Sequence, residues 1–191
     1  MRNNLLKQII YLPILYFGTI ILASFFAEGY SNIEQHASEL AINKNQTAGD
    51  IFNIGIFLTG ISLVLYGIGL RLNHKAQFSI TSILIIIFGI TFLFGVIYKI
   101  GSPWHGLYGI GISIIMLPLA FLYELKRENI NRFTKNISIL STILIFFYLW
   151  AMIAGLDPAE YRGLTQRIFG GFTFGFISYT AYITSRLKAI K

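Results

Sequence analysis

Six stretches of this chain contain no Asp, Glu, Lys or Arg: 8–27, 51–70, 78–98, 107–123, 136–155 and 168–185. Each is close to the ~20 apolar residues that an α-helix needs to cross a bilayer, the fourth being shortest. They predict an all-α, polytopic membrane protein with six transmembrane helices in a single domain, 1–191. Only 12% of the residues are charged, against about 25% in a soluble domain. The bilayer must therefore be the solvent for much of the surface. The first run is too long for a signal-peptide core and no small-residue cleavage site follows it, so it reads as a retained helix.

The net charge of +7 does not point to nucleic acid, because the cations fall in short gaps between apolar runs and build no basic face. They do predict orientation, since Lys and Arg collect on the cytoplasmic side. With the N-terminus inside, the inner segments hold Arg2, Lys7, Arg71, Lys75, Lys126, Arg127, Arg132, Lys135, Arg186, Lys188 and Lys191. The outer segments hold only Lys44, Lys99, Arg162 and Arg167. Both termini are expected in the cytoplasm, and the expected location is a cytoplasmic membrane. The chain has no cysteine, which excludes disulfides and thiol chemistry.

The polar residues worth weighing then lie outside. In the first outer loop Tyr30, Ile33, Ala37, Leu40 and Ala41 recur at helical spacing, and Ser31 with Glu34 has the form of a capping box. A short amphipathic surface helix is expected over 31–41. In GSPWH at 101–105, Ser102 suits an N-cap, Pro103 the first helical position, and His105 the first turn of the fourth helix. Neutral imidazole is favoured at such an N-terminus and can accept a proton. Trp104 and Trp150 suit the interfacial belt. Asp157, Pro158 and Glu160 read as a helix start, and Thr47 with Asp50 as another. Asn45-Gln46-Thr47 has the form of a glycosylation sequon.

No metal site is expected, because His36 and His105 have no ligand spacing around them. No cofactor is expected either: Gly109-Ile-Gly111 lies in an apolar run and lacks the third glycine of a dinucleotide fingerprint. The absence of charge within the runs counts against an ion-coupled transporter. Glycines gather near the outer ends of the second, fourth and sixth runs: Gly55 and Gly60; Gly106, Gly109 and Gly111; Gly170, Gly171 and Gly175. They serve close helix packing or leave a cavity opening outward. Gly171 and Gly175 have the GxxxG spacing of a helix-pairing face, a place for a homo-oligomer contact.

Four stretches, SEL at 38–40, IFNIG at 51–55, HGLYGIGISIIMLPLA at 105–120 and GLTQRI at 163–168, resemble the domain-of-unknown-function 998 family of prokaryotic integral membrane proteins. The resemblance covers nearly the whole chain. It implies recurring elements at Ser38, Glu39 and Leu40, at His105, and at Gly163, Leu164 and Arg167. Gln166 stands where the family usually carries Glu. The family has no settled activity, so the resemblance implies architecture and site position only.

The reading that results is an outward-facing polar pocket, with Ser38, Glu39, His105 and Arg167 as ligand-binding residues and membrane lipids as partners. It would bind a lipid or small amphipathic ligand. One alternative is a lipid-modifying enzyme with His105 as general base, oriented by Glu39. The other is a small-molecule transporter. Glu39, His105 and Arg167 are expected to converge as one cluster, since Glu39 is the outer acid with no capping duty.

Overall fold

The computed structural model describes residues 2–74, 77–105, 107–125 and 130–187. Gly106, Glu128, Asn129 and the cations Lys75, Lys126, Arg127, Lys188 and Lys191 lie outside the described residues. The described residues are helical, with no strand among them. In chain order the α-helices are α1 (Arg2–Lys7), α2 (Leu12–Ser24), α3 (Gln46–His74), α4 (Ser79–Ile97), α5 (Leu117–Leu125), α6 (Arg132–Ile153) and α7 (Arg162–Thr184). Short 3₁₀ segments cover Gln8–Tyr11, Ala37–Ile42, Leu107–Met116 and Ala159–Tyr161.

Among the described residues, four helices are long and apolar enough to cross a membrane: Asn4–Ser24, Gln46–His74, Ser79–Ile97 and Arg132–Ile153. A shorter apolar helix runs over Gly109–Leu125. Their outward faces are aliphatic and aromatic, with Ile14 72% and Phe147 58% exposed, as a hydrocarbon solvent requires. Pro13 sits at the start of α2, where its missing N–H costs nothing. The tighter 3₁₀ turn over Gln8–Tyr11 brings the chain into it from α1.

α3 and α4 pack most closely where two glycines face each other. A Cβ on Gly60 would stand 2.9 Å from the Gly89 carbonyl oxygen, and one on Gly89 would stand 2.8 Å from that of Gly60. Ser82 Oγ donates to the Gly67 carbonyl at 2.7 Å along the same seam. Small residues let membrane helices approach to backbone contact, and such bonds join them there. Gly171 and Gly175 differ: a Cβ on either would meet nothing within 4 Å.

The structure changes several expectations. α7 begins at Arg162 rather than near 168, so Arg167 lies within the helix and not at its opening. α3 begins at Gln46, and its first-turn acceptor is Asn45, whose Oδ1 takes the Thr47 N–H at 3.0 Å. Asp157 does not cap: its Oδ1 accepts from Thr165 Oγ1 at 2.7 Å. The segment 31–41 is not one surface helix. It is a turn over 32–34 and a bend at Gln35, followed by the 3₁₀ segment Ala37–Ile42.

The fourth apolar run departs furthest. It is a 3₁₀ segment over Leu107–Met116 that passes into α5. Gly109 holds φ at +79° within it, a conformation that side chains resist. His105 therefore stands in a turn before any helix. Its N–H donates to the Ser102 carbonyl at 3.0 Å, and Ser102 Oγ accepts the Trp104 N–H at 3.3 Å. Trp104 folds back onto α4, its ring 5.8 Å from that of Tyr98 and 6.1 Å from that of Phe94.

Candidate functional site

The segment 28–43 is too polar to fold alone and is built by local hydrogen bonds. Asn43 accepts the Glu28 N–H at 3.2 Å and donates to the Glu28 carbonyl at 3.1 Å, which closes the loop. Ser31 accepts the Glu34 N–H at 3.3 Å, but the reciprocal acceptor is Gln35, whose Oε1 takes the Ser31 N–H at 2.7 Å. Glu39 does have a capping duty. Its Oε1 accepts the His36 N–H at 2.8 Å, and its Oε2 accepts from Gln35 Nε2 at 3.1 Å.

The first turns of α7 dock into this loop. Leu164 N–H donates to the Ile33 carbonyl at 2.9 Å. Ala37 N–H donates to Gln166 Oε1 at 2.8 Å. Arg167 is the centre of the contact. Its Nη1 donates to the carbonyls of Gln35 at 2.9 Å and Gly163 at 2.7 Å. Its Nη2 donates to Asn32 Oδ1 at 3.2 Å and to the Tyr30 hydroxyl. Burial pushes the Tyr30 hydroxyl above its usual range, and the neighbouring Arg167 charge only partly offsets that. The phenol stays protonated and donates in turn to the His36 carbonyl at 3.2 Å. Gly163 is required by space: a Cβ there would stand 2.5 Å from the carbonyl oxygens of both Asn32 and Gln35.

Of the sequence-predicted residues, Glu39 and Arg167 belong to one network but do not pair. Gln35 joins them, with its amide on the Glu39 carboxylate and its carbonyl on the guanidinium. His105 is outside that network, so the three do not form one cluster. Its Nδ1 lies 2.7 Å from the Tyr98 carbonyl oxygen. A carbonyl only accepts, so Nδ1 carries the proton, and in the neutral imidazole Nε2 is then the acceptor. No carboxylate or hydroxyl hydrogen-bonds the ring among the described residues.

Ser38 and His105 do meet at a cavity. It has a volume of about 400 Å³ and runs from Ser38, His105 and Gln166 inward to Ile56, Phe88 and Phe174. That lies within the range of small-ligand sites. One wall is the irregular 107–116 segment, through Gly109, Gly111 and Ile112. Another wall is Tyr148, stacked on Phe169 with ring centres 4.1 Å apart. Both residues also line an apolar groove of about 340 Å³ between α6 and α7. The first cavity is the candidate site because polar groups converge on it.

Sequence reasoning missed Tyr148 and Gln166 as lining groups. Nothing in an apolar run marks Tyr148, and Gln166 stands out only as a departure from the family's Glu. Its Oε1 accepts the Ala37 N–H, and a carboxylate at that position could accept the same proton. The exchange of Glu for Gln keeps that acceptor.

A family model described as "Protein of unknown function (DUF998)" matches residues 10–182. Comparison with curated proteins and with solved structures gives no match.

Proposed function

We propose a function for this chain, which belongs to the DUF998 family, from its cavity, since the family's description gives none. The chain is a membrane protein that holds a lipid or small amphipathic ligand in a pocket open to the outer side. The observation that carries this reading is the cavity itself, polar at Ser38, His105 and Gln166 and aromatic further in. An amphiphile has the same division.

This reading takes the chain to cross the membrane six times. The spans are α1 with α2, α3, α4, the 107–125 segment, α6 and α7, in a single domain. α7 is the least apolar of them because its first turns carry Arg162 and Arg167 into the polar layer. The cationic asymmetry puts residues 28–43 outside and both termini in the cytoplasm of a prokaryotic cell. A cysteine at Asn45 is expected to react with an impermeant thiol reagent in intact cells, while one at Asn129 reacts only after lysis. The reverse pattern would move the pocket to the cytoplasmic side.

The ligand reading is tested by mass spectrometry of lipids that co-purify with the protein. Ile112 and Met152 line the cavity and are each 38% exposed, so both can become Trp without overfilling the core. The Ile112→Trp/Met152→Trp variant is expected to lose a lipid species that the wild type retains, and His105→Ala to lose much of it. Identical lipid profiles in all three proteins would reject the pocket as a ligand site.

A further inference from the structure

The cavity wall has a donor and acceptor inventory that names the kind of head group it fits. No Asp, Glu, Lys or Arg lines it among the described residues. The nearby cation, Arg167, is committed to Gln35, Gly163, Tyr30 and Asn32 and is not part of the wall. A buried ion without a counter-charge is strongly disfavoured. An ionised phosphate meets no Lys or Arg counter-charge on this wall among the described residues.

The neutral polar groups are more specific. Thr91 and Thr173 already donate to their own helices, at 2.6 Å to the Phe88 carbonyl and 3.1 Å to the Phe169 carbonyl. The other polar groups of the wall are left to a ligand. In the neutral imidazole His105 Nε2 is an acceptor, because Nδ1 donates to the Tyr98 carbonyl. Gln166 offers its Nε2 donors, because its Oε1 is held by the Ala37 N–H. The Tyr148 hydroxyl is buried with no hydrogen-bond partner, and such a group calls for an explanation. Ser38 and Tyr16 add hydroxyls that turn either way. A complementary head must therefore bring one O–H for His105 and oxygen acceptors for Tyr148 and Gln166. Phe88, Phe92 and Phe174 continue the wall inward as an apolar surface of the kind that suits an acyl chain.

We infer that the pocket takes an uncharged lipid whose head is a free hydroxyl beside ester oxygens, of the diacylglycerol type, and rejects lipids headed by an ionised phosphate. The inference rests on the ligand-pocket reading above and adds the class of ligand. His105 is the group that tells a free hydroxyl from a capped one. A phosphate supplies further acceptors but no neutral donor for Nε2, and it brings a charge that the wall does not compensate.

The test uses the full chain in detergent micelles and three probes with the same octanoyl chains: dioctanoylglycerol, its acetate ester, and dioctanoylglycerol phosphate. Binding is read by calorimetric titration. Wild type is expected to prefer dioctanoylglycerol over each of the other two by at least about tenfold, the scale of one hydrogen bond lost with its partner left unpaired. His105→Ala is expected to bind dioctanoylglycerol no better than the acetate. The wild-type comparison needs no variant, so a poorly folded His105→Ala does not leave the question open. Equal or tighter binding of the phosphate, or equal binding of the acetate, overturns the assignment of ligand class while the pocket remains a ligand site. If no probe binds and the Ile112→Trp/Met152→Trp variant retains the wild-type lipid profile, both readings fall.

Discussion

Arg167→Leu should destabilise the purified protein by roughly 3 kcal/mol or more, from two stranded carbonyls at about 1–3 kcal/mol each and lost charge-assisted bonds. The guanidinium holds Gln35 and Gly163 through their backbone oxygens and Tyr30 and Asn32 through side chains. Leucine fills part of the volume but donates nothing. Lysine has the charge but lacks the planar fork that reaches several acceptors at once, so Arg167→Lys should recover only part of the loss. Gly163→Ala attacks the same contact by volume. Its Cβ would stand 2.5 Å from two backbone oxygens and 2.8 Å from Arg167 Nη1, so the loop must shift and the guanidinium with it. The damage should be local first. A cysteine at Ala37, 2% exposed, should label far faster in Arg167→Leu than in the parent. Arg162 is exposed and serves as the control, because Arg162→Leu removes the same charge without touching the loop. Equal stability and equal labelling in the two leucine variants would show that the loop does not depend on Arg167.

Two short stretches singled out by resemblance, SEL at 38–40 and GLTQRI at 163–168, are the two halves of this contact. Leu40 is fully buried, Glu39 shapes the loop, and Gly163, Leu164, Gln166 and Arg167 receive it. The residue set was legible in the sequence, but the pairing was not. Capping logic attaches an acid to the helix start in whichever register the letters allow. It gave Ser31 to Glu34 and left Glu39 over, whereas the fold gives Ser31 to Gln35 and Glu39 to His36. Glu39 was then free on paper to pair with Arg167, and that produced an expected cluster that the coordinates divide in two.

Helix positions were legible where hydrocarbon alone decides them. The run 78–98 and α4 (Ser79–Ile97) agree within a residue at each end. The charge-free rule failed at α7, because that helix starts before the apolar run and docks on the loop, where both terminal nitrogens of Arg167 are hydrogen-bonded. It failed again at 107–123. An unbroken apolar run reads as a helix, yet Gly106, Gly109 and Gly111 within six positions each weaken one by about 1 kcal/mol relative to Ala. That spacing was the available signal for a broken segment, and the cavity lies along the break.

The opposite end of the bundle has a contact that no local pattern announces, and it yields the second large effect. α4 starts after Phe78, whose side chain cannot accept a hydrogen bond, so the first N–H groups of the helix need partners from elsewhere. Glu124 of α5 supplies both: Oε1 accepts the Ile80 N–H at 2.6 Å, and Oε2 accepts the Thr81 N–H at 2.9 Å. A carboxylate is favoured there by the helix dipole as well. Phe121, one turn earlier on α5, stacks on the fully buried Phe78 at 5.6 Å, so one face of α5 clamps the start of α4 by ring and by carboxylate. Glu124 is itself only 9% exposed, which keeps water from replacing it. Glu124→Ala should therefore cost roughly 2–4 kcal/mol, two unsatisfied amides plus a lost cap. Glu124→Gln keeps one acceptor and gives up the charge, so its loss should be about half as large. Hydrogen exchange separates this contact from the one at Arg167. The amides of Ile80 and Thr81 should exchange faster in Glu124→Ala and at the parental rate in Arg167→Leu, while the Ala37 amide shows the reverse. Unchanged exchange at Ile80 and Thr81 in Glu124→Ala would mean that α4 holds its first turn without α5.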